Sequence, residues 1–177
     1  MNKQEIKSLL QQAMDAISMA QCLEEDLMCK AQRIGLQGEK RRQRYESAKS
    51  YNLIKYLKCD AFDAYGIELE HKAGTAPAQQ IGGMKGYFDV FLNKQEQLYD
   101  VLHTIANKLV AVNCQYYAKL LYDKCACIVE DIKYARRTIL EGNLVNWAPE
   151  FILLHQTTLE NVHDHFEEKE KEVGYNY

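Results

Sequence analysis

Along most of this chain apolar residues recur at alternating three- and four-residue steps, a period that belongs to one face of an α-helix. In the first segment Ile6, Leu10, Ala13, Ile17, Ala20, Leu27 and Ala31 keep that step. The second runs from about Glu39 to Lys72, with Ile54, Leu57, Ala61 and Ala64 on its stripe. The third carries Phe88, Phe91, Leu98, Leu102, Ile105, Leu109 and Val112, and the fourth Cys114, Ala118, Leu121, Cys125, Ile128, Ile132, Ala135 and Ile139. A last, shorter segment after Pro149 carries Ile152, Leu159, Val162 and Phe166. No window alternates as a strand does. The expected fold is all-α, an antiparallel bundle of about four long helices plus a shorter C-terminal helix.

The punctuation agrees. The chain has only two prolines, and four of its nine glycines crowd around the first in Ala73-Gly-Thr-Ala-Pro-Ala-Gln-Gln-Ile-Gly-Gly-Met-Lys-Gly86. That stretch, near 73–86, is the expected crossover loop. Gly35 and Gly38 mark an earlier turn, and Gly142 with Asn143 and Asn146 a later one. Nothing between Lys85 and Glu141 is a strong breaker. The apolar stripe nevertheless slips by about a third of a turn between Val112 and Cys114, at about 100° per residue. Two antiparallel helices meeting at Asn113 are therefore expected there.

A length of 177 residues suits one domain spanning 1–177, with enough chain to bury a core. Hydrophobic residues at 47% and a net charge of −3 fit a globular protein and argue against nucleic acid, whose binders cluster Lys and Arg in excess. The N-terminal stretch lacks the apolar core of a signal peptide, and no run reaches membrane-spanning length, so a soluble, cytoplasmic protein is expected. Six cysteines spread through helical segments, Cys22, Cys29, Cys59, Cys114, Cys125 and Cys127, read as reduced thiols.

Three short patterns bear on metal chemistry: Glu68-Leu-Glu-His71, Glu160-Asn-Val-His163 and Asp100-Val-Leu-His103. With four long helices and a crossover, the chain resembles the di-iron carboxylate, ferritin-like bundles. Those place a Glu on each of two helices and Glu-x-x-His on each of the other two. Glu68 and His71 continue the stripe of the second helix if that helix persists past Gly66. Glu24 lies between Ala20 and Leu27 on the first. Asp100 and His103 lie opposite their stripe, Glu160 points away from its own, and the inward histidine of the last helix is His155. Height separates the inward carboxylates. Glu24 lies about 15 Å from the Gly35 turn and Glu68 about 45 Å, so no dinuclear site joins them. The reduced alternative is a single divalent metal held by Glu68, His71 and His155. His71-Lys72-Ala73-Gly74 also resembles the phosphoacceptor region of histidine phosphotransfer bundles, but Gly74 and Pro77 end the helix too soon.

Two charge features remain. Glu24 and Glu46 fall on inward faces at the same height. Lys124 joins them at the edge of its apolar face if the fourth helix starts, near Asn113, at that same end. Buried carboxylates require such a partner, so Glu24, Glu46 and Lys124 are expected to form a buried ion network that fixes helix register. The run Lys40-Arg41-Arg42-Gln43-Arg44 opens the second helix, where positive charge opposes the helix dipole, so Lys40, Arg41, Arg42 and Arg44 form a candidate contact for a phosphate-rich partner. Twelve tyrosines, Tyr87, Tyr99, Tyr116, Tyr117, Tyr122 and Tyr134 among them, suit half-wet interfaces.

With no catalytic signature, the leading expectation is a non-enzymatic bundle acting through protein–protein contacts, as a subunit or adaptor of a larger assembly such as a virion or other multi-subunit particle. Self-association or a protein partner, no membrane and no cofactor go with it. The alternatives are a metal-binding bundle, ferritin-like or mononuclear, and an adaptor using the basic run.

Overall fold

The computed structural model describes residues 3–72, 74–75 and 80–161, with side chains through 158. Helices α1 (Lys3–Arg33), α2 (Gln37–Tyr65), α3 (Met84–Ala111) and α4 (Gln115–Leu144) form a bundle, and the short α5 (Pro149–Asn161) closes one end. No strand occurs among the described residues.

The helix ends follow local chemistry. Between α1 and α2, Gly35 takes a left-handed φ of 81° and Leu36 N–H bonds the Ala31 carbonyl at 2.8 Å. Between α3 and α4, Asn113 takes φ 59° and Cys114 N–H bonds Leu109 O at 2.8 Å, so the phase slip of the stripe is a turn, as expected. Helix α2 stops earlier than its stripe suggests. Gly66 is left-handed at φ 57°, its N–H bonds Phe62 O, and Ile67 N–H bonds Ala61 O. This is a Schellman-type stop, with the buried Ile67 as its apolar partner.

Past Gly66 the chain is extended. Ile67 and Leu69 are buried while Glu68 and Glu70 are exposed, the alternation of an extended segment. Gln11 of α1 serves this segment as a strand would: its amide donates to Glu70 O at 2.7 Å and accepts from Glu70 N–H at 2.9 Å. Further on, Cys22 Sγ donates to Gly74 O at 2.9 Å. The crossover therefore climbs along α1, from Gln11 to Cys22, toward the Gly35 end. Helix α3 starts at that end and runs parallel to α2. This corrects the expected starting end of α4: Asn113 lies at the opposite end from Gly35, and Lys124 reaches Glu46 from that side.

The apolar interior is divided. One cluster gathers Ile6, Leu10, Met14 and Ile17 with Leu57, Leu102, Leu109 and Leu121. A smaller one at the Gly35 end gathers Leu27, Ala31, Leu36, Met84, Phe88 and Phe91. Glu24, Glu46, Lys94 and Gln95 are buried between them. No described helix is long and apolar enough to cross a membrane.

Candidate functional site: a buried polar layer

Each of the four long helices sends a polar side chain into this layer, and the sequence pattern shows why. On α1, Glu24 occupies the stripe position between Ala20 and Leu27. On α3, Lys94 and Gln95 fill the gap between Phe91 and Leu98, and on α4 Asp131 fills the gap between Ile128 and Ala135. Helix α2 keeps its helical step with Glu39, Gln43, Glu46 and Ser50 before turning apolar at Ile54; all four are buried.

The groups close on one another. Lys94 Nζ lies 2.9 Å from Glu24 Oε1, with side chains 3% and 1% exposed. Glu46 accepts from Lys49 at 2.6 Å and faces Lys124 at 3.8 Å. Burial alone would push the Glu46 carboxyl up, but the Lys124 and Lys49 charges outweigh it and hold it below the usual range. The same pairing keeps Lys49 above the usual lysine value despite its burial. Asp131 accepts from Gln95 Nε2 at 2.6 Å and Arg42 at 3.3 Å, and burial still raises its carboxyl.

Nearer the Gly35 end, the Arg42 guanidinium lies between the Phe91 and Tyr134 rings, 4.3 Å from each centroid. Beside it Glu39 accepts from Tyr134 OH at 2.5 Å and Tyr87 OH at 3.1 Å, and burial drives both phenols far above the ordinary value. His155 of α5 completes the chain, with Nε2 2.9 Å from the Tyr134 hydroxyl. Gln156 Oε1 accepts from Gly38 N–H at 3.2 Å, which turns its amide nitrogen toward His155 Nδ1 at 3.3 Å. His155 is therefore the neutral Nε2–H tautomer, and burial lowers its basicity.

Several expected groupings are not formed. Glu68 and His71 are exposed on the crossover, beside the lower half of α1, whereas His155 sits at the Gly35 end. Roughly 25 Å of bundle separates them, so the three do not share an ion. The cause is the early stop at Gly66. Among the described residues no cluster of three His, Cys, Asp or Glu could hold a metal. Asp100 is exposed and His103 stacks on Tyr99. His163 and the Glu160 side chain lie outside the described residues. Of Glu24, Glu46 and Lys124, the structure joins the last two and pairs Glu24 with Lys94. The basic run is split: Arg42 is buried, Arg41 is exposed, and Lys40 and Arg44 are half-buried, so the four do not line one cationic face. Sequence reasoning missed Lys94, Asp131 and Glu39, although the first two fill gaps in apolar stripes and Glu39 continues the helical step of α2.

No family model matches the chain, and no curated protein matches it. Solved structures do. An engineered closed form of the Archaeoglobus fulgidus ferritin superposes with a TM-score of 0.72 over 90% of this chain and 96% of its own, at 14% identity. A humanized archaeal ferritin gives 0.75 at the same coverage and identity. An open-pore ferritin from the hyperthermophilic archaeon Archaeoglobus fulgidus gives 0.74, covering 86% and 94%, also at 14% identity.

The fold is ferritin-like.

That finding overturns the leading expectation of a non-enzymatic adaptor or assembly subunit and favours the ferritin-like alternative set beside it. The height argument was right to part Glu24 from Glu68, but the α2 carboxylate at the level of Glu24 is Glu46. The residues present do not fit a di-iron centre, however. Where the bundle pattern asks for Glu-x-x-His, α2 offers Glu46-Ser-Ala-Lys49, and the inward position of α3 is Lys94. A protonated lysine has three donors and no lone pair to give a metal.

Proposed function

We propose that this chain is a ferritin-like metal-handling protein that associates with copies of itself and takes up metal ions as cargo, outside the interior of the bundle. The observation that carries this reading is the shared fold: 90% of this chain superposes on 96% of a ferritin. A fold kept over so much of both chains supports a related use. The surface supports self-association. Leu140, Leu144 and Val145 at the end of α4 are exposed, as are Leu153 and Leu154 of α5, with Leu144 at 78%. Five aliphatic side chains turned to water at one end of a bundle suit contact with another protein surface.

The test is light scattering on the size-separated protein, followed by metal analysis of each species after loading with ferrous iron and removal of excess. The expected result is a species of several 20.5 kDa chains that retains iron in excess of chains. A 20.5 kDa monomer that retains none would refute the proposal.

A further inference from the structure

The polar layer is balanced in a specific way. The carboxylate pattern of ferritin-like bundles, one Glu from each of two helices and one Glu-x-x-His from each of the others, places four negative charges in the interior. Two divalent ions neutralise them. Among the described residues the buried carboxylates are Glu24, Glu39 and Glu46, with Asp131 at the layer's edge. The cations against them are Arg42, Lys49, Lys94 and Lys124. Each carboxylate meets at least one: Glu24 with Lys94 at 2.9 Å, Glu39 with Arg42 at 3.8 Å, Asp131 with the same Arg42 at 3.3 Å, and Glu46 with both Lys49 at 2.6 Å and Lys124 at 3.8 Å. We propose that Arg42, Lys49, Lys94 and Lys124 replace, charge for charge, the two divalent ions that a carboxylate bundle of this fold would hold, leaving the layer neutral without metal.

The placement matches as well as the sum. Lys49 stands three residues after Glu46, where the motif has its histidine, and Lys94 stands where α3 would supply a carboxylate. An ion entering here would have to displace an ammonium that is 3% exposed and would face the remaining cations at short range. The charges that a metal would supply are instead covalently attached to the chain, so the fold owes nothing to metal. The inference rests on the ferritin-like fold and is independent of whether the assembled protein stores metal elsewhere.

The experiment is thermal unfolding of the full chain in EDTA and in Mn(II), for the wild type and two variants. Wild-type Tm is expected to be the same in both. The charge-free variant E24M/K94M removes one pair together, keeps the bundle folded and shows the same indifference to metal. The exchange variant K49H/K94E restores two ligand types, and its Tm is expected to rise by several degrees in Mn(II), with bound manganese confirmed by elemental analysis. A wild-type Tm raised several degrees by Mn(II), with the rise lost in E24M/K94M, would overturn the inference. So would a folded K49H/K94E that ignores Mn(II). Metal held on outer surfaces would shift Tm alike in the wild type and in E24M/K94M, so the comparison of those two proteins decides even if the exchange variant does not fold.

Discussion

Lys94 and Glu24 form a contact of 2.9 Å in the middle of the bundle, each almost wholly withdrawn from water. Breaking such a pair from one side leaves a buried charge without its partner. Lys94→Ala or Glu24→Ala alone should cost about 3–5 kcal/mol in urea-induced unfolding, while Glu24→Met with Lys94→Met should recover most of that loss. Additive single losses in the double variant would show that the two side chains do not act as a pair.

Arg42 tests whether the layer needs a guanidinium or merely a positive charge. Its plane lies between two aromatic rings, and it reaches Glu39 and Asp131 together. Lysine has a point charge and no plane to stack. Arg42→Lys should therefore destabilise by roughly 1–3 kcal/mol, in the range of a lost charged hydrogen bond. Equal midpoints for the two proteins would remove the stacking from the account.

The charged interior was only half legible. The helices were, because stripes such as Ile6 to Ala31 repeat for many turns and few breakers interrupt them. Glu24 and Glu46 were also visible, as carboxylates in apolar positions. Their partners were not: Lys94, Gln95 and Asp131 look like gaps in a stripe, and a gap reads as solvent until a neighbouring helix is placed against it. Topology decided the rest. Whether the crossover climbs the bundle or returns at once determines the direction of α3 and thus every height on α3 and α4. That depends on Gly66 ending α2 and on Gln11 receiving the extended chain, neither of which the period of the helices encodes.

The path of the crossover gives a third prediction. A Cβ added at Gly74 would lie 2.8 Å from the Ser18 carbonyl oxygen, a backbone atom that cannot swing away. Gly74→Ala should push the segment off α1, costing about 1–3 kcal/mol as overpacking does and speeding amide exchange around Glu70. Gly82→Ala, with nothing within 4 Å of the new carbon, should stay within about 0.5 kcal/mol of the wild type. If the two alanines behave alike, Gly74 does not pack against the Ser18 carbonyl.

Acid should loosen α5. His155 is held neutral, because burial lowers its basicity and Gln156 points an N–H at Nδ1. Arg42 opposes its protonation further, while Glu39 and Glu141 favour it less strongly than burial opposes it. A base whose folded pKa is depressed adds stability above its ordinary value of 6.5, and that stability is lost as pH falls through the lowered folded value. The protection of the α5 amides, exchange rates taken relative to the intrinsic base-catalysed rate at each pH, should therefore fall below about pH 6.5 in the wild type. In His155→Gln the pH response of α5 should be much reduced; an unchanged response would assign it to another group.

The most direct test of the neutral, metal-free layer is anomalous diffraction from crystals of the full chain soaked in Mn(II). The account predicts no manganese peak among α1, α2, α3 and α4 at the level of Glu24 and Glu46, with Lys94 still against Glu24 and any bound ions on outer surfaces. A strong peak bonded to the Glu24 and Glu46 carboxylates, with Lys94 and Lys49 turned away, would contradict it.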